Sequence, residues 1–478
     1  MYDETIELLI DGRFRPASDK ATTELRNPAT GEVLGTVPMA TEADLEEALV
    51  SSKRGFASWK ALTAHARYVV LMKAANLIEA RKERIGRLLT MENGKPLAEA
   101  VPEVQFAADA TRWYAEEGKR VYGRVVPARM PHVRQIVLRE PVGPVVAFAA
   151  WNFPASNVIR KIAGALGAGC SVIVKPAEET PGTAVAMARC FQDAGLPAGA
   201  LNIVFGVPDT VSTQLLASPI PKKLTLTGST AIGKLLQKRA AETLKRSTME
   251  LGGHAPVIVH ADADLDHAVK TLAAFKFRNA GQVCTSPTRF FVHESLFDQF
   301  AEGFTARAKA LVVGNGLEAA TQMGPMIAER RLGVMESLVA DAVDKGARVL
   351  TGGRRIGNQG TFFEPTVLSD MPASARILTE EPFGPIAPLM PFATFDEVIE
   401  RANALPYGLA SFCFTRSGSL AARTEEALEA GMVGVNHMAI STPETPFGGV
   451  NESGFGSESG IEGLDAFLRT KFVTEFAL

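Results

Sequence analysis

The amino-acid sequence predicts an α/β protein whose sheets are mostly parallel and covered by helices on both faces. Two observations carry this expectation. From about Val142, short apolar runs alternate with amphipathic stretches of helical length, the pattern of repeated βαβ units. The runs are also apolar throughout, as strands buried on both faces must be. At 478 residues, and roughly 100–200 residues per domain, the chain has room for two to four domains.

Taken in order, residues 145–150 (VVAFAA) read as a buried strand and 155–169 as a helix rich in Ala and Gly. Residues 171–174 are a second strand, 183–194 a helix and 201–205 a third strand. A strand at 224–226 leads through a small-residue turn into a helix at 231–241. A second α/β region begins after Glu250, with strands at 257–259, 289–292, 348–350, 386–392 and 432–435 and helices at 265–280 and 296–311. Residues 121–140 carry Pro127 and Pro131, lack a helical period and read as an extended arm or hairpin. An isolated hairpin is marginal in water, so the arm needs something to pack on. The last strand, 471–477, is expected to pair with another subunit, which predicts a homo-oligomer.

Composition excludes several classes of function. The net charge of -3 leaves no basic excess for phosphate backbones, so nucleic acid is not an expected partner. The cysteines, Cys170, Cys190, Cys284 and Cys413, are far apart and form no zinc-type spacing, so no metal is expected. They read as reduced thiols of a cytoplasmic protein. The N-terminus lacks the pattern of a signal peptide, and no run of about 18 apolar residues indicates a membrane span.

Several residues invite chemistry, although each has an ordinary explanation when taken alone. Cys284, in NAGQVCTS, follows a glycine and a probable helix; a lone cysteine is usually a small buried hydrophobe. Glu250 precedes Gly252 and Gly253, where backbones approach closely, and beside a thiol nucleophile such a carboxylate can activate water. Asn152, in WNFP after a buried strand, can aim its amide at a developing oxyanion, or simply make a turn. Lys175 and Glu178 in KPAEETP suit ribose hydroxyls. Gly228 and Ser229 in LTGSTAIG precede a helix N-terminus, where phosphate is favoured.

In combination and in this order, WNFP, KPAEETP, LTGSTAIG, ELGGHAP, NAGQVC, EEPFGPI and PFGGVNESGFGSE resemble the aldehyde dehydrogenase superfamily over nearly the whole chain. The likeness is greatest to α-ketoglutaric semialdehyde dehydrogenases, with succinic semialdehyde dehydrogenases next. The resemblance implies a Rossmann-type cofactor domain (1–120 and 141–250), an α/β catalytic domain (251–440) and a small β oligomerisation arm (121–140 and 441–478). It also implies a homodimer or homotetramer acting on a small-molecule aldehyde. By the same resemblance Cys284 is the nucleophile, Glu250 the general base, and Asn152 with the Cys284 N–H the oxyanion hole. Lys161 and Glu458 match a proton relay behind the base. Trp151, Lys175, Glu178, Gly228, Ser229, Glu381 and Phe383 match the cofactor site. Glu178 beside the ribose favours NAD, and the nearby Lys175 leaves NADP possible. Arg160 and Arg278 match positions that hold a distal carboxylate, and the loop 439–445, with Thr442 at its centre, departs from both branches and shapes the pocket. Ser286 stands where the succinic branch sometimes has a second cysteine, so no disulfide forms there. Transfer of the acyl group to coenzyme A instead of water is disfavoured by Glu250, because hydrolysis is the step that needs the base.

Overall fold

In the computed structural model, which describes residues 2–477, the strands form an eight-stranded sheet, a seven-stranded sheet, a three-stranded sheet and two small ribbons. The centre of the first sheet runs Leu201–Ile203, Val172–Lys175, Val145–Phe148, Lys223–Thr227, Arg246–Glu250, all parallel. The chain winds outward from Val145–Phe148 in one direction, then crosses back to lay Lys223–Thr227 on its other side. That reversal leaves a crevice above the carboxyl ends of these two strands. The sheet is closed antiparallel by Leu8–Ile10 on one side and Gly454–Phe455 on the other.

The second sheet repeats the winding: Ile386–Phe392, Pro287–His293, Ala255–Val259, Ala410–Phe414, Met432–Val435, again parallel. Thr366–Ser369 extends it in parallel, and Arg348–Thr351 ends it antiparallel. Each sheet has its own apolar core, the first around Val146, Leu166 and Leu224, the second around Val257, Phe290 and Leu389.

The expected strands and helices sit within a few residues of their places, and the exceptions have physical causes. The strand Arg246–Glu250, in which Arg, Ser and Thr precede Met249, shows no apolar run. Four helices between Glu42 and Gly118 lie outside the alternating pattern that the sequence reading followed. The helix expected over 265–280 stops at Phe277, because Asn279 and Ala280 are left-handed, with φ of 47° and 52°. Helix Pro154–Ala168 starts on its Pro and ends at Gly169, φ 92°. Its small residues let helix Leu97–Gly118 approach closely: a Cβ on Gly118 would lie 2.6 Å from the Gly167 carbonyl oxygen.

The last strand, Leu468–Phe476, pairs antiparallel on one edge with Val133–Pro141 of its own chain, in unbroken register from Leu468 opposite Pro141 to Phe476 opposite Val133. Arg124–Val126 completes the three-stranded sheet. This nine-residue ladder satisfies one edge of the strand; at the end of the three-stranded sheet, its other edge stays open.

Candidate active site

The loop after Val145–Phe148 carries Trp151 and Asn152 to the crevice of the first sheet. Asn152 is buried; its side-chain amide donates to the Gln282 carbonyl at 3.2 Å, and its Oδ1 accepts from Asn157 Nδ2 at 3.0 Å. Glu250 ends Arg246–Glu250, two strands away. Cys284 arrives from the second sheet, at the amino end of Pro287–His293. Its turn is set by left-handed Asn279, Ala280 and Gly281, and at Gly281 a Cβ would lie 2.1 Å from the Gly384 carbonyl oxygen. The close backbone approach expected after Glu250 is real: a Cβ on Gly253 would stand 2.9 Å from the Cys284 carbonyl oxygen. The site is therefore the seam between the carboxyl ends of one sheet and the amino ends of the other.

The electrostatics of the seam are those of a dry site. Burial pushes the Cys284 thiol up to about 12; the carboxyls of Glu381 and Glu250 add to this, while Arg160 opposes it. Glu250 is 2% exposed and neither carboxyl oxygen has a hydrogen-bond partner. Burial raises its pKa well above 4.5, the like charge of Glu458 raises it further, and Lys161 and Arg160 act against the shift. Behind Glu250, the Lys161 ammonium donates to Glu458 and, at 2.8 Å, to the Thr227 hydroxyl. The other cysteines, Cys170, Cys190 and Cys413, are buried.

A cleft of about 780 Å³ brings together Trp151, Asn152, Lys175, Glu178, Gly228, Ser229, Glu250, Cys284, Glu381 and Phe383. Lys175 and Glu178 pair at 2.6 Å, and Glu178 also accepts from the Gly206 N–H at 3.2 Å. The Ser229 hydroxyl caps helix Thr230–Ala241, accepting from the Ile232 N–H at 3.4 Å. Glu381 accepts from the Gly253 N–H at 3.3 Å, and burial raises its carboxyl to about 7. Phe383 sets its ring edge-on to Trp151, with centroids 5.5 Å apart. The donor set fits a nicotinamide dinucleotide: a cation–carboxylate pair for one ribose, a small-residue turn at a helix start for the pyrophosphate, a second carboxylate deeper in, and an aromatic edge beside the thiol. Among the described residues no cluster of His, Cys, Asp and Glu has the arrangement of a metal site, and no helix is long and apolar enough to cross a membrane.

The two arginines stand differently. Arg160 is buried between the rings of Phe106 and Phe447, 5.0 and 4.3 Å from their centroids, and donates to the Ser441 hydroxyl at 2.5 Å. Its Nε has no partner, and its charge acts on both Cys284 and Glu250. Arg278 lies over Phe153 at 5.0 Å, with Glu99 and Lys95 as charged neighbours. In the loop 439–445 it is Ser441 that reaches Arg160; the Thr442 hydroxyl instead meets Thr445 at 3.1 Å. The sequence reading passed over Ser441, Phe106 and Phe447, and also Lys95 and Gln282, which surround the Asn152 turn. Phe106 carries no local signal, since an isolated aromatic in a helix is ordinarily core, whereas Phe447 lies in the PFGG stretch of the last motif. Lys95 had one weak signal, a lysine in an Asn-Gly-Lys-Pro turn between two helices.

Residues 14–473 match the profile of the aldehyde dehydrogenase family. The chain is 47% identical to a putative 4-(hydroxymethyl)benzenesulfonate dehydrogenase, TsaD2, of Comamonas testosteroni, over 98% of this chain and 97% of that one. It is 42% identical to the succinate-semialdehyde dehydrogenase [NADP(+)] GabD of Escherichia coli K12, over 98% of this chain and 96% of that one. The crystal structure of succinate-semialdehyde dehydrogenase from Burkholderia pseudomallei superposes with a TM-score of 0.98 at 43% identity, covering 99% of this chain and 98% of that one. With the whole fold and the whole length shared, this chain belongs to the aldehyde dehydrogenase family and is an NAD(P)-dependent oxidoreductase of aldehydes.

Proposed function

We propose that the enzyme oxidises an aldehyde bearing an anionic group at its far end, with α-ketoglutaric semialdehyde or succinic semialdehyde as the substrate and NAD as the preferred cofactor. One observation carries this reading: Arg160, immobilised between two rings in a dry pocket, keeps an unpartnered Nε and acts on the reacting thiol. A buried guanidinium without a carboxylate is costly, and an anionic substrate relieves that cost. Arg278, over the Phe153 ring, is the second cation of the clamp.

In the reaction, the Cys284 thiol gives up its proton to solvent in the cleft, the thiolate sulfur adds to the aldehyde carbon, and the former carbonyl oxygen becomes an oxyanion. Asn152 Nδ2, now spent on the Gln282 carbonyl, turns to this oxygen together with the Cys284 N–H; one such donor is worth roughly 3–4 kcal/mol. Bound NAD(P) supplies the acceptor for the hydride that leaves the adduct carbon. Glu250 then takes a proton from water as the water attacks the thioester, and Lys161 and Glu458 carry the proton away from it. Its raised pKa makes it a stronger base than an exposed carboxylate. Lys175 and Glu178 hold a ribose, Glu178 repelling a 2′-phosphate, and Glu381 holds the other ribose.

A second reading has its own support. TsaD2 is named for a sulfonated substrate, and a sulfonate would meet the same guanidinium. The test is a screen of succinic and α-ketoglutaric semialdehydes, a sulfonated benzaldehyde and neutral aldehydes of equal length, each with NAD and with NADP. Carboxylated aldehydes should give the highest kcat/KM, and Arg160→Met should lower it by about 30-fold or more while sparing neutral aldehydes, as expected when a charged partner is lost from a buried pair. Arg278→Met should show the same selectivity at smaller size. A preference for the sulfonated aldehyde would establish the second reading, and equal losses on charged and neutral aldehydes would defeat both. The open edge and exposed Val125, Phe472 and Phe476 of the arm suit a homodimer or homotetramer.

A further inference from the structure

The loop that presents Asn152 has no regular hydrogen bonding of its own, so something else must hold it. Three buried side chains do so: Asn93, at the end of helix Lys82–Asn93, Lys95, in the short turn before helix Leu97–Gly118, and Asn279. Asn93 Nδ2 donates to the Trp151 carbonyl at 3.1 Å. Lys95 Nζ donates to the Asn152 carbonyl at 2.8 Å and to Glu103 at 2.7 Å, and stands 3.9 Å above the centre of the Phe153 ring. Glu103 in turn accepts from the N–H groups of Ala155 and Ser156, at 2.9 and 3.1 Å, where the following helix begins. From the Cys284 side, Asn279 Nδ2 donates to the same Asn152 carbonyl at 2.9 Å.

The ammonium of Lys95 has two oxygens and one ring face for its three N–H groups, and its side chain is 0% exposed. The backbone under it cannot relax, because a Cβ on Gly316 would lie 2.5 Å from the Lys95 carbonyl oxygen and one on Gly324 2.0 Å from the Gly94 carbonyl oxygen. Burying a charge is expensive, and a core that needed only volume would be served by Met. What the charge adds here is a fixed carbonyl at Asn152.

We infer that Lys95, seconded by Asn279, is a positioning residue for the oxyanion hole: it acts on catalysis through the placement of Asn152 and touches neither substrate nor cofactor. This rests on Asn152 being the oxyanion donor. A double-mutant cycle on the full enzyme tests it. The rate of the first NADH burst is measured for Lys95→Met, Asn152→Ala and the double variant, with NAD affinity by fluorescence and the melting temperature measured alongside. Lys95→Met should slow the burst about 10- to 100-fold, the effect of misplacing a catalytic group by about an ångström, with NAD affinity unchanged. In the Asn152→Ala background the same substitution should cost almost nothing, because the group it positions is gone. If Lys95→Met does not fold, Asn279→Gly, which keeps the left-handed backbone and buries no charge, takes its place in the cycle. An unchanged burst in the single variant, or an equal loss with and without the Asn152 side chain, would overturn the inference. A full burst rate in Asn152→Ala alone would remove the oxyanion assignment itself and the inference with it.

Discussion

Two sheets of this protein share one winding and use opposite ends. In both, the chain starts at a central strand, winds outward and then crosses back, so each has a switch point above its carboxyl ends. In the first sheet that point, between Val145–Phe148 and Lys223–Thr227, opens into the 780 Å³ cleft. In the second, between Ala255–Val259 and Ala410–Phe414, it is laced shut. Asp262 accepts from the Thr415 hydroxyl at 2.7 Å and from the N–H groups of Arg416 and Ser417 at 3.1 and 2.9 Å. Asn436 exchanges two further bonds with the Thr415 backbone, at 2.9 and 2.8 Å. The second sheet contributes chemistry from its amino end, where Cys284 precedes Pro287–His293. Topology thus offers crevices, and the side chains at the strand ends decide which crevice stays open.

The sharpest way to break this comparison is to silence the amino end of the second sheet. Cys284→Ala should lower turnover at least about 10⁴-fold, the usual scale for loss of a nucleophile, with NAD binding and melting temperature intact. Substantial dehydrogenase activity would move the chemistry elsewhere.

Next comes the carboxyl end of the first sheet. Glu250→Gln should reduce steady-state turnover by about 10²–10⁴-fold while a burst of NADH near one equivalent survives, because the base acts after the thioester forms. The same variant has a signature in stability. The folded-state pKa of Glu250 lies above its ordinary 4.5, so the folded protein holds a proton that the unfolded chain releases. Its stability therefore falls as pH rises from 4.5 through the folded value. Glu250→Gln should raise the melting temperature at pH 8, with a gain that vanishes near pH 4.

The open crevice predicts a smaller change. Glu178→Ser should shift the NADP/NAD ratio of kcat/KM upward by about tenfold, since it removes a carboxylate and frees Lys175 from its 2.6 Å pair. An unchanged ratio would place the ribose elsewhere.

The closed crevice predicts the least. Asp262→Ala should cost about 1 kcal/mol of stability, the scale of a lost exposed cap, and leave kcat unaltered. Burial pushes the Asp262 carboxyl up, but bonds from Thr415, Ser417 and Arg416 outweigh it and hold the group below its ordinary value. Its contribution is thus complete above pH 4 and lost as pH falls through the depressed value, so the variant and the parent should converge in acid. A fall in kcat would show that the laced end serves the reaction after all.

Much of this was legible without coordinates. The strands at 386–392 and 432–435 appear where their apolar runs lie, because strands buried on both faces must be apolar throughout. Arg246–Glu250 escaped notice because Thr248 faces the buried Lys223 ammonium, to which its hydroxyl is bonded at 2.6 Å, so a central strand has polar members. The pairing of Leu468–Phe476 with Val133–Pro141 was not legible, because an edge strand carries no mark of its partner.

The sequence by itself determined the α/β alternation, the residue types of the site and, through their order, the family. Those are local properties, or properties of a motif string. Only the tertiary structure decided that Arg160 lies between Phe106 and Phe447 while Arg278 stands over Phe153, that Ser441 rather than Thr442 meets Arg160, and that Lys95 holds the Asn152 carbonyl from 57 residues away. It also decided that burial raises the pKa of both Glu250 and Cys284. Burial and hydrogen bonding between distant segments set these outcomes, and neither is encoded in the spacing of residues along the chain.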